Sequence, residues 1–296
     1  MAPTRGEAPA IDTPSINAPA IHAPAKVNLN LRITGRRDDG YHLLASTVIF
    51  TEFGDRLFVQ PAAADDSIAV TGPFAQLLDG EPDNICLRAV KGYRAAGGRV
   101  GPLAITVEKN IPVGAGLGGG SSDAAAMLRY LDHHATRRLD ENELGRFAAN
   151  LGADVPVCLA NVASHMTGIG DRLQPVDSPP RGHIVLARPD AMLSTPAVFA
   201  AFAESGHGFT EQATSPAGRT ARQIVEDGND LLAAAQGLCP EIGLLLDALR
   251  HCDGVEAAQM TGSGSACFAL FANARQAAVA TTQITERGFW AVASGF

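Results

Sequence analysis

Five glycines fall within seven residues between Gly114 and Gly120, and two serines, Ser121 and Ser122, follow at once. Each glycine costs backbone entropy on folding, so packing alone does not explain the cluster. What it permits is close approach of backbone N–H groups to an anion. The stretch begins at Pro112-Val113-Gly114-Ala115-Gly116-Leu117-Gly118, after an alternating apolar segment, and runs into an alanine-rich helical one. A helix starting near Ser121 adds about half a positive charge at the same place. The serine hydroxyls can bond phosphate oxygens or a magnesium ion. The chemistry implied is phosphate binding, with a flexible linker or tight turn as the plainer alternative.

Three kinds of nucleotide loop are separable here. A Walker A loop needs a lysine directly after its last glycine, and none stands here. Gly114-Ala115-Gly116-Leu117-Gly118-Gly119 satisfies the dinucleotide-binding string. That fold, however, requires a second strand ending in an acid about 20 residues on, and here a second helix over 140–151 follows. A protein kinase would carry His-Arg-Asp and Asp-Phe-Gly downstream, and neither occurs.

Other positions can supply reactivity or recognition. Asp154 sits between Gly152 and a Val-Pro step. A carboxylate within hydrogen-bond reach of an alcohol takes its proton as the oxygen attacks phosphorus. The same residue can instead be an N-cap before Pro156. Lys26 lies with Asn28 and Asn30 on an otherwise apolar alternating strand. If the three point one way, that face is polar and lines a cleft, where a lysine would hold a neighbouring carboxylate ionised. A surface lysine with its stem along apolar neighbours is the alternative. Tyr41-His42 joins a ring that can stack on a base to an imidazole that can bond its edge; alone, it reads as a strand aromatic beside a surface histidine. Gly262-Ser263-Gly264-Ser265 is either a second phosphate-facing turn or a β-hairpin turn. His133-His134 end a helix, where cations are favoured.

Around these positions the chain alternates strand-like and helical patterns without a regular β-α-β beat. Strands are expected over 26–33, 41–53, 56–60, 103–108, 162–166, 184–187, 257–261 and 267–271. Helices are expected over 83–96, 122–133, 140–151, 196–204, 221–225, 239–249 and 275–287, with Asp140 and Glu143 in capping-box spacing. Residues 1–20 are rich in alanine and proline and are expected to be a disordered tail. A composition break at 175–181 divides the rest into domains over 21–175 and 176–296. The 296 residues carry a formal net charge of -8, which argues against nucleic acid or an anionic membrane as partner. Five scattered cysteines without a CxxC pair read as buried free thiols in a reducing compartment. No apolar run reaches the ~18 residues of a membrane span, so the expected location is cytoplasmic.

The glycine loop resembles that of the GHMP kinase superfamily (galactose, homoserine, mevalonate and phosphomevalonate kinases), Pro-x-x-x-Gly-Leu-Gly-Ser-Ser-Ala. Pro112, Gly116-Leu117-Gly118 and Ser121-Ser122 match. The two extra residues, Gly119-Gly120, are similar to the branch that phosphorylates 4-diphosphocytidyl-2-C-methyl-D-erythritol in the non-mevalonate isoprenoid pathway. Further resemblances follow in order: Pro24-Ala25-Lys26-Val27-Asn28-Leu29, Asp39-Gly40-Tyr41-His42, Asn84, Leu151-Gly152-Ala153-Asp154-Val155-Pro156, Gly168-Ile169-Gly170, Ser194-Thr195-Pro196, Asn229-Asp230-Leu231 and Thr261-Gly262-Ser263-Gly264. His165 stands where that branch carries an apolar residue.

The resemblance implies an α+β, two-domain GHMP-kinase fold. Its N-terminal domain would be ribosomal-protein-like α/β and its C-terminal domain ferredoxin-like α+β, with the active site in the cleft between them. It implies ATP and Mg2+ as cofactors and transfer of the γ-phosphate to the 2-hydroxyl of that acceptor, a small molecule carrying a cytidine diphosphate group. Lys26 and Asp154 would be the catalytic pair. Residues 112–122 would hold the donor phosphates, with Asn84 and Lys109 near the ATP base and Ser122 a possible metal ligand. Tyr41 and His42 would hold cytosine, and Asn28 and Thr195 the methylerythritol end. The chain would be a monomer or homodimer. The alternatives are another GHMP kinase acting on mevalonate, homoserine or a sugar, and a non-catalytic nucleotide-binding protein on the same fold.

Overall fold

A computed structural model describes residues 19–78, 83–211 and 214–296. The expected disordered tail therefore lies outside the described residues, except for its last two positions.

The first half of the chain builds a seven-stranded sheet. Its strands are β1 (Ile21–Asn28), β2 (Arg32–Arg36), β3 (His42–Pro61), β4 (Ser67–Thr71), β5 (Leu103–Glu108), β6 (Ser164–Gly168) and β7 (Arg172–Pro175). β3 is the spine: β1, β2, β5 and β6 all pair with it antiparallel. The sequence suggests two strands over this stretch, but β3 runs unbroken for 20 residues. Gly54, in its middle, makes the continuity possible, since a Cβ there would lie 2.4 Å from the Ala23 carbonyl oxygen on β1. Conversely, the single strand expected over 26–33 is two. Between β1 and β2 the chain leaves β3, and the Leu31 N–H donates to Gly228 O at 3.0 Å instead.

Four helices cover one face of this sheet: α1 (Ile85–Ala95), α2 (Gly119–His134), α3 (Glu141–Leu151) and α4 (Val155–Ala160). The alanines of α2, Ala124 to Ala126, are fully buried against the sheet and its neighbouring helices, which is why a helix so poor in large side chains sits at the centre. The Asp140–Glu143 capping box forms in both directions, at 2.8 and 3.0 Å.

The second half builds β8 (His183–Arg188), α5 (Thr195–Glu204), α6 (Ala221–Val225), α7 (Leu232–Leu238), α8 (Glu241–Arg250), β9 (Val255–Met260), β10 (Cys267–Phe271), α9 (Ala274–Glu286) and β11 (Trp290–Gly295). Its sheet is antiparallel throughout, in the order β11-β8-β10-β9. Counted from β8, that order is 4-1-3-2, the ferredoxin-like arrangement. The strands alternate with period two. Val185, Ala187, Cys267, Ala269 and Phe271 face the helices. Ile184, Leu186, Phe268 and Leu270 face the first half, where they meet Ala25, Val27 and Leu29 of β1 together with Ile111, Ala115 and Leu117. The glycine loop is thus packed into the core joining the two sheets. All five cysteines are buried and free. Among the described residues no helix is long and apolar enough to cross a membrane.

Candidate active site

A cleft of about 1340 Å³ opens between the halves. One wall is the glycine loop, which joins β5 to α2. Its carbonyls turn inward. Val113 O accepts from Arg188 Nη1 at 3.3 Å, Ala115 O from the Ala266 N–H at 3.0 Å, and Leu117 O from the Lys26 N–H at 2.9 Å. Among the described residues, no protein acceptor takes the N–H of any residue from 113 to 121. The amides of the loop and of the first turn of α2 are therefore unpaired donors lining one cleft, with the positive end of α2 behind them. Gly116 has φ +81°, and a Cβ on it would lie 2.4 Å from Gly264 O. The 262–265 turn joins β9 to β10 as a hairpin, the plainer of the two readings of this segment, and also braces the loop.

Lys26 lies on β1 below the loop, with its stem against Gly118. Its Nζ is 3.0 Å from Asp154 Oδ2 and 3.0 Å from Asn28 Oδ1. Lys26 is 4% exposed, while the Asp154 side chain is 37% exposed, so the carboxylate is the member of the pair that solvent or an acceptor reaches. Asp154 does occupy the N-cap position of α4, yet its side chain makes no capping bond; it is committed to Lys26. Asn28 is oriented by its own donation to Ser46 Oγ at 2.7 Å, and its backbone N–H donates to Thr261 Oγ1 at 2.8 Å. Asn30, expected on the same polar face, lies just beyond the end of β1. It donates to Asp227 Oδ2, accepts from the Thr47 N–H, and does not line the cleft.

The far end of the cleft is lined by aromatic groups. The Tyr41 ring is 63% exposed. The His42 ring lies 5.2 Å from that of Phe199, tilted 31°, and meets the edge of Phe202 at 5.8 Å. Burial, reinforced by the positive charge of Arg36, lowers the His42 pKa and favours the neutral imidazole. Phe199 was not anticipated. The signal was present in the three-residue spacing of Phe199 and Phe202, which puts both rings on one face of α5. Thr195, at the start of α5, shares a 2.9 Å hydrogen bond with Ser263, closing the wall between the hairpin and this helix.

At the opposite end, Asn84 lines the cleft and caps α1 by accepting the Cys86 N–H at 2.9 Å. Lys109, expected with Asn84 near the ATP base, also lines the cleft. Its amine points below the loop and sits 2.5 Å from Asp55 Oδ2 and 2.5 Å from Asp123 Oδ2, both carboxylates being buried. Burial pushes the Asp123 carboxyl up to about 8, partly offset by Lys109 and reinforced by Asp55. For Lys109, burial acts downward, but the Asp123 and Asp55 charges outweigh it and raise the pKa. Neither aspartate stood out in the sequence, because their partnership with Lys109 exists only in three dimensions. Ser122, expected as a possible metal ligand, is fully buried with its hydroxyl unpartnered and does not line the cleft, and among the described residues no cluster of three acidic, histidine or cysteine side chains gathers to hold a metal.

Residues 84–162 match the model for the GHMP kinases N terminal domain and residues 217–288 that for the GHMP kinases C terminal domain. The chain is 46% identical over 277 residues to a 4-diphosphocytidyl-2-C-methyl-D-erythritol kinase of Paracoccus denitrificans, covering 92% of this chain and 94% of that one. A crystal structure of 4-(cytidine 5'-diphospho)-2C-methyl-D-erythritol kinase superposes with a TM-score of 0.78 at 33% identity, over 93% of this chain and 98% of the other. A homoserine kinase from Cytophaga hutchinsonii superposes at 0.63 with 14% identity, over 95% of each chain, and shares the fold alone. With the unpaired loop amides, the Lys26–Asp154 pair and the aromatic wall in one cleft, the chain belongs to the 4-diphosphocytidyl-2-C-methyl-D-erythritol kinase family of the GHMP kinases.

Proposed function

We propose that this chain transfers the γ-phosphate of ATP to the 2-hydroxyl of 4-diphosphocytidyl-2-C-methyl-D-erythritol, an early step toward isoprenoid precursors. The observation that carries the reading is the Lys26–Asp154 pair, 3.0 Å apart, in the same cleft as the amide-lined loop. Asp154 accepts the hydroxyl proton as the oxygen attacks phosphorus, and Lys26 keeps that carboxylate oriented and offsets developing charge. The amides of 113–121 hold the donor phosphates, with charge assistance from α2. Asn28 and Thr195 fit the methylerythritol end. Tyr41 and Phe199 offer two faces for the cytosine, and His42 a neutral edge partner. Asn84 lies toward the donor base. Magnesium, arriving with the donor, would neutralise phosphate charge.

The same reading gives a small-molecule acceptor with no nucleic acid or membrane partner, a cytoplasmic location, and a monomer or homodimer. It puts the domain boundary between Pro175, where β7 ends, and His183, where β8 begins. Purified protein with Mg-ATP should phosphorylate this acceptor, read as ADP release by a coupled assay. Asp154→Asn should lose about 10²- to 10⁴-fold in rate, the usual contribution of a positioned base. Unchanged turnover in that variant rejects the role of Asp154. Preference for mevalonate, homoserine or a sugar in a panel of alcohols rejects the acceptor, since those carry no base for the aromatic wall.

A further inference from the structure

The cluster beneath the glycine loop has no part in the chemistry above, yet its connections are specific. Asp55, on β3 and fully buried, accepts at Oδ1 from the Asn110 and Ile111 N–H groups at 2.6 and 2.7 Å. Those are the residues just before the loop. Asp123, in the first turns of α2, is the residue just after it. Lys109 joins the two carboxylates at 2.5 Å each, and its own backbone is tied to β4 through Thr71 O at 2.7 Å. Its Nζ would lie 3.1 Å from a Cβ at Gly119, so the amine sits directly under the first turn of α2. Entry and exit of the loop are therefore pinned to one point on the sheet.

Buried ion clusters add little net stability compared with packed apolar groups. What they supply is geometry. Ala115 and Leu117 anchor the loop from the core side, but its five glycines leave backbone entropy to lose, and ordering them during binding would weaken donor affinity. We propose that Asp55, Lys109 and Asp123 form a buried staple that holds the loop in its binding shape before ATP arrives, making them positioning residues for the donor. The proposal rests on the reading of residues 112–122 as the donor loop.

Asp123→Ala tests it in the full-length chain. The variant frees only the loop exit and leaves Lys109 and Asp55 charge-matched. With Mg-ATP and the cytidine diphosphate acceptor, ATP KM should rise about tenfold or more, while acceptor KM and kcat stay within about twofold. Asp123→Asn, whose amide oxygen can still accept from Lys109, should bring ATP KM back to within about threefold of the parent. A merely structural aspartate would lower thermal stability without this split. Unchanged ATP KM in a folded Asp123→Ala, equal rises in both KM values, or an Asn variant no better than Ala each overturn the staple. Should the Ala variant not fold, Asp123→Ser, with less lost volume, carries the same expectations. A parent protein that turns over no acceptor instead refutes the activity proposed above, and one that also binds no Mg-ATP refutes the donor-loop reading. The staple is then decided by hydrogen–deuterium exchange, which must be faster at the amides of 113–121 in the released variant and overturns the staple if unchanged.

Discussion

Replacing Gly116 by alanine should damage donor binding and stability together, and the size of each effect can be worked out from its surroundings. At φ +81°, an L-residue costs about 1–2 kcal/mol relative to glycine. The new methyl would also meet Gly264 O at 2.4 Å, too close for any carbon. Neither neighbour is a flexible side-chain tip, so the loop and the 262–265 turn must part. The nearest bond across that contact, from the Ala266 N–H to Ala115 O at 3.0 Å, is the first to suffer, at about 1 kcal/mol. The total is about 2–3 kcal/mol, or a fall in melting temperature of about 3–5 °C for a chain of this size. The loop amides shift with it, so ATP KM should rise while acceptor KM changes little. Gly120→Ala is the control. A Cβ there meets no protein atom within 4 Å, and alanine is the better helix former by about 0.5–1 kcal/mol. Its melting temperature should hold or rise. Because that open space is where phosphate would approach, its ATP KM should still increase. Scanning calorimetry and steady-state kinetics on the two variants decide the matter. A Gly116→Ala protein as stable as the parent refutes the close-approach reasoning, and a Gly120→Ala protein with parental ATP KM refutes phosphate contact at that position.

The acceptor wall makes separate expectations. Tyr41→Ala and Phe199→Ala should each raise acceptor KM by about 5- to 150-fold, the equivalent of ~1–3 kcal/mol for a stacked base, with ATP KM unmoved; equal effects on both substrates would remove the nucleobase from this wall. His42 is held neutral by burial, so its native-state pKa lies below the ordinary 6.5. The stability it contributes is complete above the unfolded value and is lost as pH falls through the depressed one. Acceptor kcat/KM should therefore stay flat down to the ordinary imidazole value of 6.5 and decline only below it, and His42→Asn should erase that acid limb. A limb at or above pH 7 that follows His42 contradicts the burial reading.

Local rules carried much of this fold. The capping box at Asp140, the alternation of 103–108 and the glycine spacing depend on near neighbours, and each has its counterpart in the structure. The polar face of Lys26 and Asn28 was legible as a period-two pattern, although the pattern could not show that Asn30 turns away to Asp227. What escaped depends on partners far along the chain. β4, β7 and β11 are short strands at or near sheet edges, placed by neighbours rather than by their own propensity. Phe199 reads as one more apolar residue on a helix until His42 lies beside it. Lys109 resembles a free cation before the loop until Asp55, 54 residues earlier, closes on it.

The bonds to the loop carbonyls come from both ends of the polypeptide: Arg188 and Ala266 from the second sheet, Lys26 from the first strand. Severing the chain between the sheets would remove two of these three supports from a fragment that still contained every glycine. Such a fragment should fail to retain nucleotide, and adding the missing piece should restore retention by complementation. In the intact protein, ligand at 100 times its Kd adds about 2.7 kcal/mol to whatever state binds it. Here that state is the docked pair of halves, so the donor acts as a reversible adhesive between them, and heating with nucleotide should merge any separate melting of the halves into one transition.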